Sequence, residues 1–194
     1  MRVRGVDGST APEVDDDVAS GFDELYRDDW SAVVALGWSL VGTRTAGEEL
    51  AQDAFLDAYR RWDHVGALDN PGAWVRRAVA NRAVSHRRHL RVMDRGAERL
   101  ATEARVRQAA AGAPPEDDED FWAAVRTLPA RQAQCVALRY LEDRSIDDIA
   151  LVLELRPPTV RVHLMRGRRA IARHLGLDPA PTPTPAPAPE EDER

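Results

Sequence analysis

Residues 145–171, Ser-Ile-Asp-Asp-Ile-Ala-Leu-Val-Leu-Glu-Leu-Arg-Pro-Pro-Thr-Val-Arg-Val-His-Leu-Met-Arg-Gly-Arg-Arg-Ala-Ile, read as two short helices joined by a tight turn. Ser145 and Asp148 have the spacing of a capping box, in which each side chain satisfies a backbone N–H that the first helical turn leaves without a partner. Ile146, Ile149, Ala150 and Leu153 then form the buried stripe of the first helix. Glu154-Leu155-Arg156 occupies the turn. Pro157-Pro158 starts the next helix, where the missing proline N–H costs nothing. Val160, Leu164, Gly167 and Ile171 share one face of that helix and point inward. The opposite face carries Arg161, Val162, Met165, Arg166 and Arg169. Arginine bonds guanine bidentately and apolar side chains touch the thymine methyl, each good bidentate pair being worth about 1–3 kcal/mol of discrimination. Thr159 and Arg168 are better placed for phosphates, which orient the protein without specifying sequence. A run of charge usually means a solvated face. Here no acid balances it and a capped helix precedes it, so the expectation is a helix-turn-helix with its second helix in a DNA major groove.

The charge distribution supports a polyanionic partner although the net charge of the 194 residues is −6. All 27 basic residues are arginine, as a GC-rich coding sequence would favour. Residues 1–29 hold nine acids against three arginines, whereas residues 74–99 hold eight arginines against two acids. Residues 156–177 hold six arginines and no acid. Local basic faces steer a polyanion even when the whole molecule is acidic.

The single cysteine, Cys135, excludes an internal disulfide and fits a reducing compartment; its apolar helical setting predicts packing. The first residues contain no apolar segment of signal-peptide length, and the longest nearly apolar run, Ser31 to Gly42, is too short for a membrane span. The expected location is cytoplasmic, with no membrane insertion.

Along the chain the pattern is helical throughout, with no period-two alternation. The expected fold is all-α: two small helical domains joined by a flexible linker, the second a helix-turn-helix. Residues 1–20 read as a disordered acidic tail. Residues 21–92 read as the first helical domain, 93–119 as a linker, 120–176 as the second domain and 177–194 as a disordered Pro/Ala-rich tail. In the first domain, Phe22, Tyr26, Trp30, Val33, Gly37 and Leu40 mark one helix. Thr45 and Glu48 fit a capping box for a second, whose buried stripe is Leu50, Ala54, Ala58 and Trp62. Asp63 to Asn70 reads as a polar loop, after which Pro71 opens a third helix toward Arg91.

Two faces of this domain are unusual. On the second helix Glu49, Asp53, Leu56 and Arg60 line up, with Gln52 beside them; a leucine among charges suggests a protein docking spot, or else a tolerated exposed leucine. On the third helix Arg77, Asn81, Ser85 and Arg88 share a face, with Arg76, Arg82, Arg87 and Arg91 nearby. Such a face beside Trp62 and Trp74 suits single-stranded nucleic acid, with bases stacked on rings and arginines tracking the backbone. Core packing is the competing role for both tryptophans.

Taken together, these residues resemble the extracytoplasmic-function (ECF) group of the sigma-70 family of RNA polymerase sigma factors. Gly47-Glu48-Glu49-Leu50-Ala51-Gln52-Asp53-Ala54-Phe55-Leu56 resembles the family's polymerase-binding helix, and Asn70 to Asn81 its −10-reading helix. Leu128-Pro129-Ala130-Arg131-Gln132 with Leu138-Arg139-Tyr140 resembles the entry to its −35-reading domain, followed by the helix-turn-helix. The family usually has glycine at position 158 and often has a small polar residue at 162, arginine at 163 and alanine at 167, where this chain has Pro158, Val162, His163 and Gly167. Its acidic residue after the −10 asparagine is Ser85 here.

The resemblance implies a specificity subunit that directs core polymerase to promoters and helps open the −10 region. Region 2 would span 21–92 and region 4 would span 120–176. Glu49, Gln52, Asp53, Leu56 and Arg60 would dock on core polymerase (the β′ and β subunits). His64, Asn70, Trp74, Arg77, Asn81, Ser85 and Arg88 would meet −10 DNA. Thr159, Arg161, Val162, Met165, Arg166, Arg168 and Arg169 would meet −35 DNA. An anti-sigma factor is a further partner that the resemblance allows. No cofactor or metal is expected. Two other classes stand beside this one. A dimeric helix-turn-helix regulator would bind duplex DNA without polymerase, matching its two-fold symmetry to half-sites. An enzyme would need a nucleophile–base or metal-spaced set, and His86 and His89 have no such partners in sequence.

Overall fold

The computed structural model describes residues 16–97 and 119–177, with side chains described over 20–90 and 119–177. Residues 1–15, 98–118 and 178–194, which hold most of both expected tails and of the expected linker, lie outside the described residues. Those described form eight helices and no strand: α1 (Asp16–Val41), α2 (Arg44–Arg60), α3 (Trp62–Val65), α4 (Pro71–Ala97), α5 (Glu119–Thr127), α6 (Ala130–Leu141), α7 (Ile146–Leu153) and α8 (Pro157–His174).

The first unit is built on α1, α2 and α4, each packed on the other two. Its interior is aliphatic: Val33, Leu36, Leu40, Leu50, Ala54, Ala58, Val75, Val79 and Ala83 are buried, with Phe55 among them. Aromatic rings close one end, Phe22 standing edge-on to Phe55, Tyr59 and Trp62, with ring centroids 6.4, 5.1 and 5.4 Å apart. Helix α1 starts at Asp16, inside the stretch assigned from sequence to the acidic tail.

The α1–α2 junction differs from the sequence expectation. Gly42, at φ +100°, ends α1 in a conformation open mainly to glycine. Thr43, not Thr45, then caps α2, its Oγ1 accepting from the Ala46 amide at 3.3 Å. Alanine at that position gives no reciprocal carboxylate, so there is no capping box; Glu48 instead accepts from Arg44 one turn earlier at 2.9 Å. The predicted loop 63–70 also differs. Its first residues complete the one-turn helix α3, which tucks Val65 into the core.

The second unit, α5 to α8, follows the expected pattern closely. Ser145 and Asp148 form the capping box, with Ser145 Oγ accepting from the Asp148 amide at 3.1 Å and the Asp148 carboxylate accepting from the Ser145 amide at 3.1 Å. Ser145 Oγ also donates to the Asp148 carboxylate at 2.7 Å, and this bond first, then that from the Ser145 amide, hold the Asp148 carboxyl below its ordinary range. Glu154 ends α7 in the left-handed region at φ 52°, and both prolines fall at the start of α8. Val160, Leu164, Gly167 and Ile171 are all buried.

Gly167 has a packing reason. A Cβ built there would lie 2.8 Å from Val136 Cγ2 on α6, so α8 sits closer to α6 than alanine would allow. Gly167→Ala should therefore lose about 1 kcal/mol, because overpacking of about 2 kcal/mol exceeds the gain in helix propensity of about 1 kcal/mol. Chemical denaturation checks this. Val136→Ala in the same chain should cost less than it does in the wild type, since it removes the methyl that clashes.

The two units are not separate in space. Helix α1 packs on α5 and α6, α4 packs on α7, and the buried apolar residues form one continuous cluster.

Candidate nucleic-acid interface

Helix α8 leaves exposed the residues that the sequence assigns to DNA. Arg161, Val162, Met165, Arg166, Arg168 and Arg169 are all exposed, Met165 at 62 % and Val162 at 39 %. Val162 and Met165 thus put apolar surface among the arginines of this face. Arg168 is held over the Tyr140 ring of α6, 5.6 Å from its centroid, which restricts its guanidinium to few rotamers. Thr159 is exposed in the first turn of α8.

His163 points the other way. Its Nδ1 is buried without a hydrogen-bond partner, and burial, then the charges of Arg166 and Arg131, lower its pKa. A neutral imidazole at this position keeps positive charge off the inner side of the helix. Cys135 behaves as expected of a packing residue: it is fully buried, and burial pushes its thiol up to about 12.

On α4 the structure divides the basic face predicted from sequence. Asn81, Ser85 and Arg88 are exposed and lie along one side. Trp74 is half-buried against the core, and so is Trp62, which also receives Gly21 and Gly66 against its indole. Arg77 is paired with Glu154 in the turn before α8. Arg76 does not belong to an open basic face at all. It is 4 % exposed and chelated by Asp29, whose two oxygens accept at 2.8 Å each, while Glu142 accepts at 2.5 Å. Burial alone would lower the Arg76 pKa, but the hydrogen bonds and charges of Asp29 and Glu142 outweigh it and raise it. Arg82 pairs with Asp57, and Arg87 donates to the carbonyls of Arg126 and Leu128. These partners lie far away in sequence, so helical spacing could not reveal them.

His64 and Asn70 flank the short connection before α4 and are exposed. Asn70 caps α4, its Oδ1 accepting from the Ala73 amide at 2.8 Å. That bond occupies one end of its side chain and fixes the loop beside Trp74.

A third face lies on α2. Glu49, Gln52, Asp53, Leu56 and Arg60 are exposed together, Leu56 at 45 %, with Arg60 4.0 Å from Asp57. Tyr59, 56 % exposed and one turn from Leu56, enlarges the apolar centre of this face. Sequence reading passed over it, although its position three residues after Leu56 was the available signal. No group of three or more potential metal ligands occurs among the described residues, and no helix there is long and apolar enough to cross a membrane.

Known proteins agree with this layout. The Sigma-70, region 4 family matches residues 118–171, which hold α5 to α7 and the buried face of α8. The ECF RNA polymerase sigma factor SigW of Bacillus subtilis (strain 168) is 24 % identical over 174 residues, covering 83 % of this chain and 90 % of SigW. Among solved structures, the sigma factor RpoE of Bartonella quintana, in its co-crystal with the anti-sigma factor NepR, superposes with a TM-score of 0.65. That match is 22 % identical and covers 81 % of this chain and 98 % of RpoE, so it speaks to the fold. Residues 118–171 thus match the Sigma-70, region 4 family, and the chain over most of its length is similar to RNA polymerase sigma factors of the ECF type.

Proposed function

We propose that the chain directs core RNA polymerase to promoters through three separate faces. The exposed face of α2 (Glu49, Gln52, Asp53, Leu56, Arg60, with Tyr59 added by the structure) docks on the β′ subunit. Helix α8 reads duplex DNA at −35 through Arg161, Val162, Met165, Arg166 and Arg169, with Thr159 and Arg168 on phosphates. Residues 21–92 act as region 2 and 120–176 as region 4. Asn81, Ser85 and Arg88, the His64–Asn70 segment, Trp74 and, once released, Arg77 hold separated bases of the −10 element. Strand opening is then a binding reaction: a captured base returns about 1–3 kcal/mol by stacking, against roughly 1.4 kcal/mol per base step of duplex. No covalent step is assigned to the chain, and it would work in the cytoplasm. An anti-sigma factor of the kind seen bound to RpoE is a partner to expect.

The observation that carries this reading is the exposed Arg–Val–Met–Arg face of α8, set by a capped α7 and a left-handed Glu154. A two-fold symmetric regulator would not account for a sigma-factor relative that matches 83 % of the chain. Transcription with purified core polymerase over a genomic promoter library is the direct test. In it, Asp53→Arg should lower the affinity for core polymerase at least tenfold, about 1.4 kcal/mol, while the melting curve stays at wild type because Asp53 is exposed. Undiminished co-purification of that variant with core enzyme would remove α2 as the docking face.

A further inference from the structure

Three aromatic rings run from the interior of the second unit to the edge of α8. Trp122, in α5, is buried. Phe121 stands edge-on to it, with ring centroids 4.9 Å apart, and makes a second T-shaped contact with Tyr140 at 5.5 Å. Tyr140 lies in the last turn of α6 and is 49 % exposed. Arg168 of α8 ends the series, its guanidinium carbon 5.6 Å from the Tyr140 centroid. T-shaped pairs fix ring orientation, because the positive edge of one ring meets the negative face of the next. The outermost ring is therefore oriented from the core, although half of its own surface is in water.

Arg168 differs from the buried arginines in what restrains it. Arg76 and Arg82 are held by carboxylates, which occupy their N–H groups. Arg168 is held by a ring, and no ion pair or hydrogen bond among the described residues takes its side-chain donors. A ring face attracts the cation without accepting those N–H groups, so the guanidinium is oriented while its five donors stay open. Its place on α8 supplies the target. Arg168 follows the buried Leu164 by four residues and the exposed Met165 by three, so it stands at the margin of the face assigned to −35 DNA. A helix seated in the major groove meets base edges near its centre and phosphates at its margins. An oriented, planar guanidinium matches two phosphate oxygens at once.

We propose that Tyr140, which lies outside the helix-turn-helix, is a positioning residue for −35 DNA: its ring, braced by Phe121, holds Arg168 for a backbone phosphate. This inference rests on the promoter-reading role proposed above for α8. The pair supplies affinity and register rather than sequence preference, since phosphates carry no base information. Tyr140 brings no charge, so removing its ring weakens one phosphate contact without changing how many phosphates are neutralised. Removing Arg168 deletes a contact that releases a counterion. The two losses therefore differ in salt dependence as well as in size.

The test uses the full-length chain assembled with core polymerase, on promoter duplexes that share one −10 element and differ at −35. Arg168→Ala should weaken binding to all of them about equally and flatten the slope of log affinity against log salt by about 0.9. Tyr140→Leu should weaken all of them about two- to fivefold, the size of an exposed cation–π contact, with the slope at its wild-type value. Tyr140→Phe keeps the ring and should restore wild-type binding. In an Arg168→Ala chain, Tyr140→Leu should cost nothing further. An equal cost in both backgrounds would assign Tyr140 to packing alone and overturn the proposal. A loss in Tyr140→Phe would also overturn it, by making the hydroxyl the contact. NMR of the free full-length chain gives a reading that needs no DNA. The Arg168 Hδ protons should be shifted upfield by the ring in wild type and Tyr140→Phe, and should return toward the unstacked position in Tyr140→Leu. Absence of that shift in wild type overturns the positioning role directly. Wild-type assemblies indifferent to the −35 sequence would strike the promoter-reading role, and the proposal with it, while the NMR shift survives; the two failures are thus distinct.

Discussion

Arg76→Ala should cost about 3 kcal/mol, the low end of the 3–5 kcal/mol expected when one partner of a buried ion pair is removed. The low end applies because Asp29 keeps 21 % of its side-chain surface and can recover some water, whereas Glu142 keeps only 7 %. Arg144 also reaches the Glu142 carboxylate at 3.1 Å and offsets part of the loss. In a chain of this size, 3 kcal/mol lowers the melting temperature by roughly 10 °C. Thermal and urea denaturation measure it. A companion variant tests the cause: converting Arg76, Asp29 and Glu142 together to apolar residues of similar volume should restore most of the lost stability, as replacing whole buried charge sets often does. If Arg76→Ala melts within a degree or two of wild type, the buried cluster is not a structural element of the fold.

The second large effect is expected at Gly47. Helices α1 and α2 cross where Gly37 meets Gly47, and a Cβ at Gly47 would stand 2.6 Å from the Trp38 backbone nitrogen and 2.9 Å from its Cα. Backbone atoms inside a helix cannot move aside as a side chain can. Gly47→Ala must therefore push α2 away from α1, against a gain in helix propensity of about 1 kcal/mol. Overpacking at the upper end of its usual range of 1–3 kcal/mol, or beyond it, leaves a net loss of about 2 kcal/mol or more. Gly37→Ala should be milder, since its nearest contact is 3.0 Å. Denaturant midpoints of the two variants give the comparison. Equal or raised stability for Gly47→Ala would show that the crossing is looser than these distances state. Because α2 also carries the proposed docking face, Gly47→Ala should lose polymerase binding together with structure, unlike Asp53→Arg, which should lose binding alone.

These residues show how far local reasoning carried. The helix-turn-helix was legible because every signal in it is local: Ser145 bonds Asp148 three residues on, the prolines act within their own turn, and the inward set from Val160 to Ile171 follows from helical period alone. The exposed face of α2 was legible for the same reason. The basic face of α4 was only half legible. Helical spacing put Arg76, Arg82 and Arg87 near Arg77 and Arg88, yet the first three are held by Asp29 and Glu142, by Asp57, and by the carbonyls of Arg126 and Leu128. The tightness at Gly47 and Gly167 likewise depends on which helix lies opposite, and the start of α2 turned on Gly42, whose positive φ moved the cap to Thr43.

The amino-acid order by itself determined that the chain is helical, where α4, α7 and α8 begin, which stripe of α7 and α8 is buried and which residues of α2 and α8 are left exposed, because capping and periodicity act over three or four residues. Only the tertiary structure decided that the two units close on one another and that α1 and α4 carry the shared surface. That outcome rests on one apolar cluster running through both units, and on charge pairs and one buried amide joining residues about fifty to eighty positions apart, such as Gln134 with Ala80 and Arg77 with Glu154; no local spacing encodes such pairings.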